Sequence, residues 1–151
     1  MKNILLVLLM FMASGAFCQQ TKVENDVEYR AVSLEADDRR FLALKDTAQK
    51  HMPEFMDNLK KHGADYPNYN FVVKSDFVDG DQHEHMWSQI VGYSNGVFKA
   101  IFIDSPFSLK NIKTGDKVSI KKGDVEDWLI YDKKNKPLAG GFSKKYLNSK
   151  N

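Results

Sequence analysis

HMWSQIVGYSNGVFKAIFID, residues 85–104, holds two apolar runs around Ser94-Asn95-Gly96. Asn-Gly favours the two-residue hairpin turn, because both residues tolerate positive φ. With Asn95 and Gly96 as the loop, Ser94 faces Val97. The pairs then run outward as Tyr93–Phe98, Val91–Ala100, Gln89–Phe102 and Trp87–Asp104. Side chains alternate along a strand, so these pairs share one face. Met86, Ile90, Ile101 and Ile103 fill the other. Both faces are apolar, which predicts a central hairpin covered on both sides. A helix would cover one face, and the sheet curling onto itself the other.

Working outward, Tyr69–Phe77 is rich in β-formers, and Asp79-Gly80-Asp81 marks a turn into the hairpin. Downstream, Lys113–Asp116 is a turn before Val118 and Ile120. Gly123-Asp124 leads into Val125–Tyr131, Lys133–Lys136 is a polar turn, and Leu138–Phe142 reads as a last strand. Upstream, Phe41, Leu44, Ala48, Met52, Phe55, Met56 and Leu59 recur at helical spacing. Ser33 can cap that helix, with Glu35, Asp37 and Asp38 near its positive end. Pro53 fits a first turn better than a helix interior, so a kink or restart is expected near Met52. Lys60, Lys61 and Gly63 close the element. Residues 19–32 are polar without a clear period and read as a linker or edge segment. The expected fold class is α+β: a kinked N-terminal helix packed on a curved antiparallel β-sheet, or that sheet curled into a partly closed barrel.

The chain begins MKNILLVLLMFMASGAFCQQ. Lys2 supplies a positive start, and Ile4–Met12 an apolar core far short of the roughly 20 residues that span a bilayer. Ala16-Phe17-Cys18 precedes Gln19 with small residues where a signal peptidase checks. Residues 1–18 therefore read as a cleavable signal peptide, and the protein as exported, periplasmic or secreted, with no transmembrane segment after cleavage. A lipoprotein acylated at Cys18 is the less favoured rival, because that pattern wants a small residue where Phe17 stands. Cys18 is the only cysteine. The mature domain thus lacks disulfides, thiolate chemistry and cysteine-based zinc sites. Residues 19–107 carry a net −5 and residues 108–151 a net +6. The basic end is all lysine, whereas phosphate recognition leans on arginine forks. It reads as a solvated surface, with no nucleic-acid partner.

Asp79–Trp87 is the chemically suggestive stretch. His83 and His85 are two apart, which on a strand puts both imidazoles on one face. The hairpin register sets Asp104 diagonal to His85, so His83, His85 and Asp104 form a weak candidate metal set. The plainer reading makes His83 a solvated turn residue and His85 a structural hydrogen-bonding group. His85 and Asp104 also resemble a base and its orienter. Ser88 and Ser105, the nearby hydroxyls, alternate onto the opposite face. No G-x-S-x-G, P-loop or H-E-x-x-H motif occurs. Trp87 and Trp128 read first as core anchors. Asp127 reads as a turn-holding or pocket-lining carboxylate, and Gly140-Gly141 as a bulge or close backbone approach.

Phe71 to Lys74, Asp79-Gly80, Glu84-His85-Met86-Trp87, Asp104-Ser105-Pro106, Gly115-Asp116-Lys117-Val118, Asp127-Trp128 and Gly140-Gly141-Phe142-Ser143 occur in this order. The series resembles the YegJ-like bacterial family of unknown function over about residues 40–146. Asp104 stands where that family usually has Asn, and the arginine expected after the final Ser/Thr is absent. The resemblance implies a single α+β domain, taken here as residues 33–151, and no particular activity. It singles out His85 over His83, and makes Glu84, His85, Trp87, Asp104 and Asp127 the ligand-binding candidates.

No complete catalytic constellation is present, so no catalytic residue is assigned and no cofactor is expected. The leading expectation is a non-catalytic module of the bacterial envelope that binds a small ligand or an envelope protein. The alternatives are a metal-assisted hydrolase using His85 and Asp104, and a toxin-neutralising or inhibitor-like protein. Oligomeric state is not legible in the chain.

Overall fold

The computed structural model describes residues 19–24, 26–32 and 39–148. The expected signal peptide, residues 1–18, and the expected cap at Ser33 with Glu35, Asp37 and Asp38 lie outside the described residues.

Helix α1 (Arg39–Lys50) and helix α2 (Met52–His62) are separated by His51. Pro53 sits in the first turn of α2, where its missing N–H costs nothing. His51 still bonds back to the Thr47 carbonyl, and Glu54 N–H restarts the ladder on the His51 carbonyl. This is the expected restart near Met52.

Six antiparallel strands form one open sheet in the order β6-β5-β4-β3-β7-β8. They are β3 (Tyr69–Asp79), β4 (Gln82–Ser94), β5 (Val97–Phe102), β6 (Lys117–Lys121), β7 (Val125–Asp132) and β8 (Pro137–Gly140). The fold class is the expected α+β. Asn95 and Gly96 form the expected turn, both with positive φ.

The register inside the hairpin departs from expectation. Tyr93 pairs with Phe98, but Ile90 rather than Val91 pairs with Ala100, and Ser88 rather than Gln89 with Phe102. Val91 is the extra residue of a bulge beside Gly92, and one extra residue flips every side chain beyond it. Met86 and Ile90 thereby join Phe98, Ala100 and Phe102 in the buried clusters. The other side keeps Trp87, Ile101 and Ile103, of which Ile103 is exposed. The hairpin is central, but only one face is deeply covered. The sheet does not curl onto itself; its edges are β6 and β8.

The core face meets α1 and α2. Phe55 packs its ring edge on Phe71 and Phe98 and at a tilt on Trp128. Ala48, Met52, Val73, Val125 and Ile130 complete this cluster. Trp128 is fully buried, and its indole N–H donates to the Ala48 carbonyl at 3.0 Å. A second cluster, Met86, Phe102 and Leu109, lies under the loop between β5 and β6.

Two more readings change. Residues 19–32 form a separate two-stranded hairpin, β1 (Gln19–Glu24) and β2 (Val27–Val32). Lys22 donates to the Pro106 carbonyl, and Glu24 accepts from Ser105 Oγ. The last strand stops at Gly140 instead of running to Phe142, and helix α3 (Phe142–Asn148) follows.

Gly140 and Gly96 both have positive φ, but their surroundings differ. A Cβ on Gly140 would stand 2.0 Å from the Trp128 carbonyl oxygen and 2.6 Å from its ring; a Cβ on Gly96 meets nothing within 4 Å. Gly96→Ala should cost about 1–2 kcal/mol, the left-handed penalty alone. Gly140→Ala should cost more than about 3 kcal/mol, because backbone overlap is added. Urea melts of the two variants check this, and equal losses would count against the close approach at Gly140.

Candidate functional site

On the face opposite Phe55 and Met52, one rung of the sheet carries Trp87 on β4, Lys74 on β3 and Asp127 on β7 as direct cross-strand partners. Period-2 alternation puts all three side chains on that face. The next rung pairs Asp76 with His85. A second bulge follows at Lys74/Ser75, where Asp127 opposes Lys74 but Val125 opposes Ser75. Glu126 is the extra residue, and the bulge re-aims it toward His85.

Lys74 is 6% exposed. Among the described residues its ammonium has no hydrogen-bond or ion-pair partner. It lies over two rings, Phe41 of α1 at 5.7 Å and Trp87 at 5.9 Å from their centroids. Burial pushes the Lys74 amine below the usual lysine range, while Asp127, Glu126 and Asp104 pull it back without reversing the shift.

The carboxylates have different occupations. Asp127 is fully buried and saturated. Its Oδ1 accepts from Trp128 N–H (2.8 Å) and Phe142 N–H (3.1 Å), and its Oδ2 from Ser143 N–H (2.7 Å) and Ser143 Oγ–H (2.6 Å). It holds the turn that starts α3. Glu126 meets His85 Nδ1 at 2.5 Å and Lys45 Nζ at 3.3 Å. Burial pushes Glu126 up, but the His85 hydrogen bond and the charges of His85 and Lys45 leave it below the ordinary glutamate value. Asp104 Oδ2 accepts from Trp87 N–H at 2.7 Å. Burial pushes the Asp104 carboxyl up; the Trp87 bond and the charges of Lys74 and Lys144 only partly offset this.

The sequence candidates therefore separate. Trp87, Asp104, Asp127 and His85 stand around Lys74. Glu84 alternates onto the core face, where its carboxylate accepts from the backbone N–H groups of Phe107, Ser108 and Leu109. That bond set fastens the loop over Met86 and Phe102. His85 takes Glu126, not Asp104, as its carboxylate, because the Val91 bulge moves β5 by one residue. His83 Nδ1 meets Asp76 at 2.8 Å. Among the described residues no three His, Cys, Asp or Glu side chains converge on a metal position. The Ser88 hydroxyl is buried on the core face, away from His85, and Ser105 is bonded to Glu24.

Lys74, Glu126 and Phe41 are the site residues that sequence reasoning missed. One signal was available for Lys74, a lysine inside the apolar run Phe71-Val72-Val73. A groove of about 630 Å³ lies elsewhere, between α2 and β3–β4, lined by Met56, Leu59, Tyr66, Tyr69, Ile90 and Tyr93. It lacks a buried titratable group.

Residues 38–150 match the family described as "Uncharacterized protein conserved in bacteria (DUF2314)". The uncharacterized protein YegJ of Escherichia coli is 32% identical over 146 residues, covering 95% of this chain and 86% of that protein. No solved structure matches.

A raised folded-state value makes the Asp104 carboxylate a stability cost above the unfolded aspartate value of about 3.9. The cost grows as pH rises toward the folded value and is then constant. Asp104→Asn keeps an oxygen for Trp87 N–H and removes the charge. Its melting temperature should exceed the parent's at pH 7, with the gain vanishing below about pH 4. Thermal melts across that range check it. A variant less stable at pH 7 would show that the ionised carboxylate stabilises the fold.

Proposed function

The chain belongs to the DUF2314 family of bacterial proteins, and we propose that it is a non-catalytic binding module of the cell envelope. Its ligand is a small molecule or a partner's side chain, seated over Trp87 between Lys74 and Asp104. The observation that carries this reading is the buried, unpaired Lys74 ammonium between two aromatic rings. Desolvating an ammonium without a partner costs several kcal/mol, roughly. Such a group is retained where an incoming acceptor completes it. Trp87 offers an aromatic surface, and Asp104 a second polar contact. The envelope assignment rests on the signal-peptide pattern of residues 1–18.

A metal-assisted hydrolase has weaker support. It needs convergent ligands with an open position, whereas His83 and His85 each meet a different carboxylate.

Native mass spectrometry of untagged protein purified from its own host tests the proposal. The expected species starts at Gln19 and carries an extra mass. Lys74→Met should lose that mass while melting at or above the parent temperature, because an apolar isostere replaces an unpaired buried charge. An equal mass retained by Lys74→Met would place the ligand elsewhere. Bare protein throughout would end the small-ligand reading.

A further inference from the structure

We propose that Lys74 captures a small aldehyde or ketone covalently, as an imine on Nζ. This rests on the reading that the Lys74 site takes a ligand, and it names the ligand's reactive group.

Three observations converge. The Lys74 nitrogen has no hydrogen-bond or ion-pair partner among the described residues, so no hydrogen bond or ion pair must break before it reacts. Although the side chain is more than nine-tenths buried, the nitrogen is not among the buried polar atoms sealed from solvent. The nitrogen therefore keeps some contact with solvent. The walls are Phe41 and Trp87, whose rings favour the apolar body of a carbonyl compound over bulk water.

The surroundings also favour a free amine. Asp127 is occupied by four donors, and Glu126 by His85 and Lys45. Neither closes an ion pair on Lys74. Burial shifts Lys74 toward the neutral, nucleophilic form. Asp104 lies within electrostatic reach, and its burial favours the protonated carboxyl.

The step balances without a cofactor. The Nζ lone pair attacks the carbonyl carbon, and the carbonyl π pair moves to oxygen, which takes a proton from the Asp104 carboxyl. The nitrogen then returns a proton to the Asp104 carboxylate. Asp104 passes it to the departing hydroxyl, which leaves as water as the C=N bond forms. Loss of the remaining N–H proton to Asp104 leaves the neutral imine and restores the acid. Amine plus carbonyl gives imine plus water, with no net oxidation. A neutral carbonyl compound suits the site, because the Glu126 carboxylate opposes an added negative charge.

Propionaldehyde with cyanoborohydride at pH 6 tests this on the full mature protein, with the modified lysines located by peptide mass spectrometry. Lys74 should take the first propyl group ahead of exposed Lys133 and Lys134, because its depressed amine holds a larger free-amine fraction. Lys74→Arg keeps the charge but cannot form the imine, and should remove this fast phase. Labelling of Lys74 no faster than Lys133 or Lys134 overturns the imine. If Lys74→Met still loses the bound mass in native spectrometry, only the imine falls. If both readouts are negative, the binding site falls with it.

Discussion

Asp127 and Trp128, adjacent and fully buried on β7, join the layers of this protein. Alternation sends their side chains to opposite faces. The indole reaches the Ala48 carbonyl and Phe55, binding the helical layer to the sheet. The carboxylate collects four hydrogen bonds from the start of α3 and its own strand. A carboxylate removed from water is tolerable only with such a set, since hydrogen bonds to a charged group contribute about 1.5–3 kcal/mol each. Gly140 lets β8 approach the Trp128 backbone closely enough for the chain to turn onto Asp127.

Two single-residue insertions then decide what faces where. The Val91 bulge sends Met86 and Ile90 to the core face and leaves Trp87 on the other. The Glu126 bulge delivers a carboxylate to His85 from a strand that does not neighbour β4. Without them the apolar residues of the hairpin would divide evenly between the faces. With them, one face is a dense core and the other a mixed surface of aromatic and charged groups. Phe41, reaching over from α1, meets His85 edge-on at 5.3 Å and covers Lys74.

Among the described residues, that face sets well-bonded carboxylates beside an ammonium with no hydrogen-bond or ion-pair partner. Asp127 and Glu126 each hold several donors, and Glu84 across the sheet holds three backbone N–H groups. Lys74 has two ring faces beside it and, among the described residues, no hydrogen-bond or ion-pair partner. Cation–π contacts contribute about 0.5–2 kcal/mol, less than the cost of burying an ammonium, roughly several kcal/mol. The fold supplies the difference, and this imbalance motivates a binding role.

Local patterns in the chain determined much of this protein. The helical stripe from Phe41 to Leu59, the restart at Pro53, the Asn95-Gly96 turn and the α+β class follow from periodicity and backbone preference, which act within a few residues. The motif series from Phe71 to Ser143 also placed the chain in its family. Tertiary structure alone decided the rest. A bulge is stabilised by what its re-aimed side chains find in space, so Val91 and Glu126 were invisible to alternation. Helix α3 is seven residues long, too short to announce itself by period. It forms because Asp127, far upstream, receives its first N–H groups. Lys74 read as one more strand residue until the sheet set it between Trp87 and Asp127, and α1 laid Phe41 across it. Whether a charge is paired depends on three-dimensional neighbours, which one strand's sequence does not contain.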